Sequence, residues 1–459
     1  MSNPRTRNVA ATAWLLAAAA CSAGGSAEVL DFDYGTEPLL LRVGEPVDAQ
    51  PGAAAGAVFT VDPALPAGLT LDVATGAITG TPTATAALDT YTVRGLLGAL
   101  LLEVDVQIAV GEALPTSVTS LEAGFEVTVV AQLPMAPAKL AVAPDGRAFV
   151  TELASGVIRV VAADGTVEPN PFATVPVLTG SHRGLLGVAL SPMFEADRFV
   201  YAVACTPAGG GKPDRSVLYR WTENAGVGQD QTVLLDDLPV STINNGGALC
   251  FDQTGMLLVS IGDTEDPAAA QSDASMAGKV LRADPRDGGG PPDNPSASSH
   301  VYCKGLRNTF ALTRNPEVGT IFGADNGPTD DDELNLIRPG RNYEWGAPPG
   351  SDFGAATGPL LRLWPDVVVP TGLAFRDPGD ALDWPAAFDR SLYLTMYDEE
   401  IVERFEMSGS ERADIDREAV FLRFRPDGTA NKPLDVQRGP AGRLWILTFT
   451  AIYRVDRIR

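Results

Sequence analysis

The sequence predicts an all-β chain, because short stretches of alternating apolar and polar residues between Gly, Pro and Asp turns dominate it and helical periodicity is scarce. A second observation sets the architecture. One pattern, a turn followed by alternating apolar residues, recurs at Asp145 to Val150, Asp197 to Ala202, Gly255 to Val259, Gly319 to Gly323, Asp389 to Leu394 and Gly442 to Leu447. These six copies lie about 50 to 70 residues apart, the length of one four-stranded propeller blade with its loops. A six-bladed β-propeller is therefore expected over 120–459. The last strand, Ile452 to Val455, can close the ring against Phe125 to Val129, leaving short edges and a central channel in which propeller ligands usually sit.

Upstream of the repeats the elements follow in order. Arg5 and Arg7 precede an apolar stretch from Val9 to Ala20 and then Cys21, which reads as an export signal over 1–21. Ala18-Ala19-Ala20-Cys21 resembles a bacterial lipobox, in which the cysteine is lipidated and becomes the mature N-terminus, although Ala18 stands where the lipobox usually has Leu. Cleavage after Ala20 or Ala27 without lipid is the alternative. The chain is expected to be exported and lipid-anchored in the cell envelope, at the outer membrane or in the periplasm, or else secreted. Membrane contact is expected only through the anchor, since no later segment is long and apolar enough to span a bilayer. Residues 22–35 form a tether that begins with the small residues Ser22 to Ser26. From Thr36 to Val110 short strands alternate with Pro and Gly punctuation. Leu65 to Leu71 and Thr75 to Thr83 resemble the Ig-like or cadherin-like modules of bacterial surface proteins, which implies a β-sandwich spacer over 36–110.

A chain of 459 residues with 45% hydrophobic content can fill two or three cores. The net charge of -24 is spread along the chain and repels nucleic acid and anionic lipid, so neither is an expected partner. Cys205, Cys250 and Cys303 follow no zinc spacing and can form at most one disulfide, so buried thiols are expected.

The chemistry concentrates in a few phrases. Ile243-Asn244-Asn245-Gly246-Gly247 runs into Ala248 to Asp252, with Ile261-Gly262-Asp263 after it. Turn chemistry alone explains Asn-Asn-Gly-Gly as a supply of positive-φ residues. The run does not stand alone. Gly184 to Phe194, Gly278 to Arg282, Asp293-Asn294-Pro295, Gly305 to Asn308, Asn326-Gly327-Pro328, Asp332 to Ile337 and Gly340 to Trp345 follow in an order and spacing that, from Phe125 onward, resemble the soluble quinoprotein sugar dehydrogenases, the glucose/sorbosone dehydrogenase family.

That resemblance implies pyrroloquinoline quinone (PQQ) held across the channel mouth, Ca²⁺ polarising the quinone, and a base that takes a sugar hydroxyl proton as hydride passes to the cofactor. The family carries that base as His at the position of Asn244, and a neutral carboxamide cannot replace an imidazole worth roughly 100- to 10,000-fold in rate. Arg307 and Asn308 match cofactor contacts. Gly327 and Pro328 match carbonyls that bind the cofactor's calcium, Glu333 and Tyr343 match ligands of a second calcium, and Trp364 matches an aromatic on the quinone. Two cofactor-binding arginines of the family correspond to Lys432 and Leu434, a fork replaced by a point charge and by nothing. A family lysine aligns with the acidic stretch at Asp398. His182 falls where the family has a substrate-contacting Gln, and is either a relocated base or a loop residue beside Arg183. His300 matches no functional position. Asp330 to Glu333 lacks EF-hand spacing.

Two readings stay open. One is an exported PQQ- and calcium-dependent dehydrogenase of aldose-type sugars that passes electrons to an acceptor. The other is a catalytically degenerate propeller lipoprotein that binds carbohydrate or protein. Lactonase or esterase chemistry shares only the architecture.

Overall fold

The computed structural model describes residues 32–458 apart from 36, 53–55, 298, 377, 378, 380–383 and 426–430, so Cys21 and the export signal lie outside the described residues. Strands dominate, and the α-helices among the described residues are two short ones, Phe194–Asp197 and Pro267–Gln271. From Pro137 onward the strands form six antiparallel sheets in sequence order. Their first strands are Pro137–Val142, Leu185–Leu190, Leu249–Phe251, Thr309–Arg314, Pro370–Arg376 and Pro433–Arg438. Each first strand touches the next one, and the sixth touches the first.

All six copies of the repeated pattern mark the turn and second strand of a sheet: Ala148–Glu152, Phe199–Thr206, Leu257–Ile261, Ile321–Asp325, Ser391–Met396 and Leu444–Thr448. The repeat has a packing cause. Second strands are buried on both faces, so they read as apolar runs introduced by a turn. One apolar cluster fills each junction between neighbouring sheets, from the first and second through to the sixth and first. The expected closure is present: Ala451–Arg457 pairs antiparallel with Phe125–Gln132, with Tyr453 opposite Val129 and Val455 opposite Val127. Val118–Leu121 adds a fifth strand to the fifth sheet through Asp414–Phe424.

Several of the quoted phrases are structural ties. Arg282 bridges Asp252 at 2.7 Å and Asp293 at 2.8 Å and also donates to the Asn294 carboxamide oxygen at 2.9 Å, so three sequence phrases meet at one guanidinium. Lys279 donates to the carbonyls of Ala269, Ala270 and Ala277, which anchors the end of helix Pro267–Gln271. Cys205, Cys250 and Cys303 are buried free thiols, and burial pushes Cys250 and Cys303 up to about 12.

The N-terminal module contains a sheet of Leu39–Arg42, Leu100–Gly111, Ala86–Leu97 and Val58–Asp62, and a sheet of Val47–Ala49, Ile78–Gly80 and Leu69–Leu71. Both contribute to one apolar core, which includes Phe32 and has Tyr34 packed against it. Composition placed those two residues in the tether; aromatic burial places them in the module. The module is clamped onto the ring closure by buried Arg42, which donates to the carbonyls of Phe125, Leu121 and Glu122.

Candidate active site

A cavity of about 570 Å³ opens at one end of the ring. Ala138, Leu186, Gly246, Asn308, Thr371 and Leu434 line it, one from the beginning of each first strand or the loop leading into it. The site is thus built where all six sheets converge.

Asn244 sits on this cavity in the left-handed conformation, φ 55°, which Asn tolerates because its short amide bonds locally. Its Nδ2 donates to Asp263 Oδ1 at 2.9 Å, and its carbonyl accepts Thr264 N at 3.1 Å. Gly262 is required here, since a Cβ at that position would lie 2.0 Å from the Asn244 carbonyl oxygen. Asp263 is 1% exposed and also accepts Glu265 N at 3.0 Å and Trp345 Nε1 at 2.8 Å. Arg307 lies over the Trp345 ring, 5.6 Å from its centroid. Asn244, Asp263, Trp345 and Arg307 form one chain of contacts drawn from two sheets.

The Arg307 side chain donates to the carbonyls of Asn326 at 2.8 Å and Gly327 at 2.6 Å. Its backbone is fixed by Asp325, whose carboxylate accepts Arg307 N, Asn308 N and the Thr309 hydroxyl. Burial raises the Asp325 carboxyl to about 6, against the opposing pull of those hydrogen bonds. Asn308 Oδ1 accepts Gly246 N at 3.1 Å, which holds the Asn-Asn-Gly-Gly loop against the fourth sheet. His182 lines the same cavity from an exposed loop. Asn245 fixes it by donating from Nδ2 to the His182 carbonyl at 3.1 Å.

Beneath the cavity, Lys139 donates to the carbonyls of Phe310 and Thr371 and faces Asp435 at 3.9 Å. Burial pushes the Lys139 ammonium down and the Asp435 carboxyl up, and each charge counters the shift of the other. One ammonium therefore ties together the first, fourth, fifth and sixth sheets.

The family model for glucose/sorbosone dehydrogenases matches residues 135–452. The chain belongs to the glucose/sorbosone dehydrogenase family. An Ig-domain model matches residues 41–97. Aldose sugar dehydrogenase YliI of Escherichia coli (strain K12) is 26% identical over 337 residues, covering 68% of this chain and 86% of that protein. Quinoprotein glucose dehydrogenase B of Acinetobacter calcoaceticus is 30% identical over 233 residues, 44% of this chain and 48% of its own length. The PQQ-bound form of an aldose sugar dehydrogenase from Streptomyces coelicolor superposes with a TM-score of 0.61 at 25% identity, covering 73% of this chain and 99% of its own. The family thus has a propeller-type all-β fold, includes PQQ-binding members, and supports a sugar dehydrogenase-type function for this chain.

Within that family frame, the cavity brings together Asn244, His182, Arg307, Asn308, Gly327, Pro328, Leu434 and Asp398. Other expected residues lie elsewhere. Trp364 ends the outer strand Leu360–Trp364 opposite Asp332 and is buried in the apolar cluster between the fourth and fifth sheets, edge-on to Phe405, so it does not line the cavity. The aromatic wall comes instead from Phe310, Tyr397 and Phe449. Lys432 stands behind that wall, over the Tyr397 ring at 4.3 Å and paired with Asp398 at 2.9 Å. The Tyr343 hydroxyl is engaged by Leu336 O and Arg338 N, away from the cavity. Glu333 accepts Asn335 Nδ2 at 2.8 Å; burial first, and the charges of Asp325, Asp331 and Glu344 after it, raise its carboxyl to about 7. Among the described residues no group of three or more His, Cys, Asp or Glu side chains is arranged to hold a metal. His300 bonds the Gly288 carbonyl at 2.8 Å and belongs to the third sheet's loops.

The donor set meets part of what a carboxylated quinone needs. Arg307 has no ion pair among the described residues and can offer its guanidinium to one carboxylate. Among the described residues the two positions where the family has further arginines offer no second free cation, since Leu434 is apolar and Lys432 is paired with Asp398. The Gly327 carbonyl accepts Arg307, so a divalent ion there competes with that guanidinium.

Proposed function

We propose that this chain is an exported PQQ-dependent sugar dehydrogenase built on a six-bladed β-propeller over 120–459 and an Ig-like β-sandwich over 36–110, lipid-anchored through Cys21. The observation that carries the reading is one cavity, large enough for a tricyclic cofactor and a sugar, on which Arg307, Asn308, Asn244 and His182 converge. When bound, PQQ supplies the hydride acceptor for an aldose. Arg307 and Asn308 would hold it, with Tyr397 and Phe310 as the aromatic wall. Asn244, oriented by Asp263, presents its carboxamide oxygen as a hydrogen-bond acceptor for a sugar hydroxyl.

The proton needs a different acceptor. Asp332 is spent on the amides of Gly327, Val368 and Val369, and Asp398 on Lys432. His182 carries the imidazole that lines this cavity, so it is the base in this reading: the sugar hydroxyl proton goes to His182 and the carbonyl forms as hydride leaves the carbon. Calcium at Gly327 and Pro328 would have to displace the Arg307 guanidinium from the Gly327 carbonyl. A structural calcium at Glu333 and Tyr343 enters this reading through the family resemblance alone.

A second reading, a propeller that binds sugar without oxidising it, is favoured by Leu434 and the Lys432–Asp398 pair on the cofactor side. Titration of the purified protein with PQQ, followed by absorbance, separates the two. Saturable binding on the order of tens of micromolar or tighter supports the quinoprotein reading; no binding in that range overturns it. Binding without aldose turnover that appears in Asn244→His establishes the second reading.

A further inference from the structure

The sheet hairpin farthest from the ring carries a row of apolar side chains that none of the described residues covers. Ala86–Leu97 and Leu100–Gly111 are joined through Gly98 and Ala99, with Leu97 opposite Leu100, Leu96 opposite Leu101, and Val58 of the neighbouring strand opposite Leu96. Val58, Leu96 and Leu101 stand side by side on the outer face at 59%, 49% and 60% exposure, and Leu100, at the hairpin end on the opposite face, is 47% exposed. The apolar character stops abruptly. One row inward the same face carries Thr60, Arg94 and Glu103, the last two paired at 2.6 Å, and the next carries Asp62, Thr92 and Asp105.

The strand Leu100–Gly111 spans the module, roughly 36 Å at the usual rise for its length. Its far end is held against the ring, where a Cβ on Gly111 would meet Ile458, and Arg42 clamps the neighbouring strand there. At the tip end, the first described residue of the chain, Phe32, packs under Gly95. Eleven positions separate Phe32 from Cys21, a reach of at most about 40 Å even fully extended. Phe32, the described residue closest in sequence to the apolar leader and the anchor, thus lies at the leucine-tipped end of the module. The charge of -24 gives no attraction to anionic headgroups, so apolar insertion is the means of contact.

We propose that the hairpin tip Leu96 to Leu101, with Val58, inserts into the interfacial region of the bilayer and holds the propeller a module's length above it. The proposal rests on the lipid-anchor reading and is independent of the dehydrogenase reading. It is tested on the full exported chain reconstituted in phosphatidylethanolamine–phosphatidylcholine vesicles, with an environment-sensitive dye on Ala99→Cys or, on the ring, on Ser410→Cys. Cys205, Cys250 and Cys303 are buried and leave the new thiol as the labelling site, and Cys21→Ser is run in parallel.

The expected result is a blue shift and quenching by acyl-chain nitroxide lipids at 99, none at 410, and loss of both signals in Leu96→Ser/Leu100→Ser/Leu101→Ser. That variant changes exposed side chains only, and its circular dichroism checks the fold. Absence of quenching at 99, or quenching that survives the three serines, overturns the proposal. So does a blue shift without vesicles that grows with protein concentration, which marks a second copy as the occupant. The mass of the mature chain reports separately on Cys21. Lipid there without quenching at 99 keeps the anchor and refutes the tip.

Discussion

Asn244 takes its meaning from Asp263. The buried carboxylate that holds the Asn244 amide also holds Trp345 and the Glu265 amide, so it orients the pocket wall without touching the cavity itself. Asp263→Ala leaves one buried donor, Asn244 Nδ2, unmet, at about 1 to 3 kcal/mol, with the partly buried Trp345 and Glu265 N–H groups left to water, and a drop in the urea midpoint of corresponding size is expected. The phrase around Asn244 was readable in the sequence because its glycines are forced by close backbone approach. The link to Trp345 was not, since 82 residues separate the partners and neither carries a local signal of the contact. The same holds for Lys139, a lone lysine in an apolar strand whose partners come from three other sheets.

At the scale of elements, turn-plus-strand repeats were legible because a second strand buried on both faces must be apolar. Site residues on outer strands were not. Trp364 follows the family's order in sequence, yet its strand is the fourth of its sheet, and its ring fills the wedge to the fifth sheet. The neighbouring strands Ile321–Asp325 and Asp332–Ile337 carry the proton-linked pair Asp325 and Glu333. Both carboxyls hold their proton more tightly folded than unfolded, with folded values of about 6 and about 7. The folded state thus binds more protons between about pH 4 and pH 7, and stability falls as pH rises through that window. Glu333→Gln is expected to flatten the upper part of this fall, so its melting temperature exceeds the parent's at pH 8 and matches it near pH 4. Calcium that raises the parent's melting temperature at pH 8, and leaves Glu333→Gln unmoved, identifies Glu333 as a metal ligand.

For the whole molecule, closure has two parts. The first and last strands of the ring segment, Phe125–Gln132 and Ala451–Arg457, pair in the sixth sheet, and the Lys139 ammonium joins four sheets under the cavity floor. Lys139→Met leaves Asp435 as an uncompensated buried charge, and a loss of about 3 to 5 kcal/mol in unfolding free energy is expected from denaturant titration. The N-terminal module belongs to this closure, since Arg42 grips Phe125 at the start of the closing strand. The central claim concerns the cavity that closure creates, and steady-state aldose oxidation by the PQQ-loaded protein and its His182→Ala variant tests it most directly. Turnover is expected in the parent, with a fall of about 100- to 10,000-fold in kcat in the variant, PQQ affinity retained, and partial rescue by added imidazole. Equal turnover in the two proteins, or none in the parent despite bound PQQ, contradicts it.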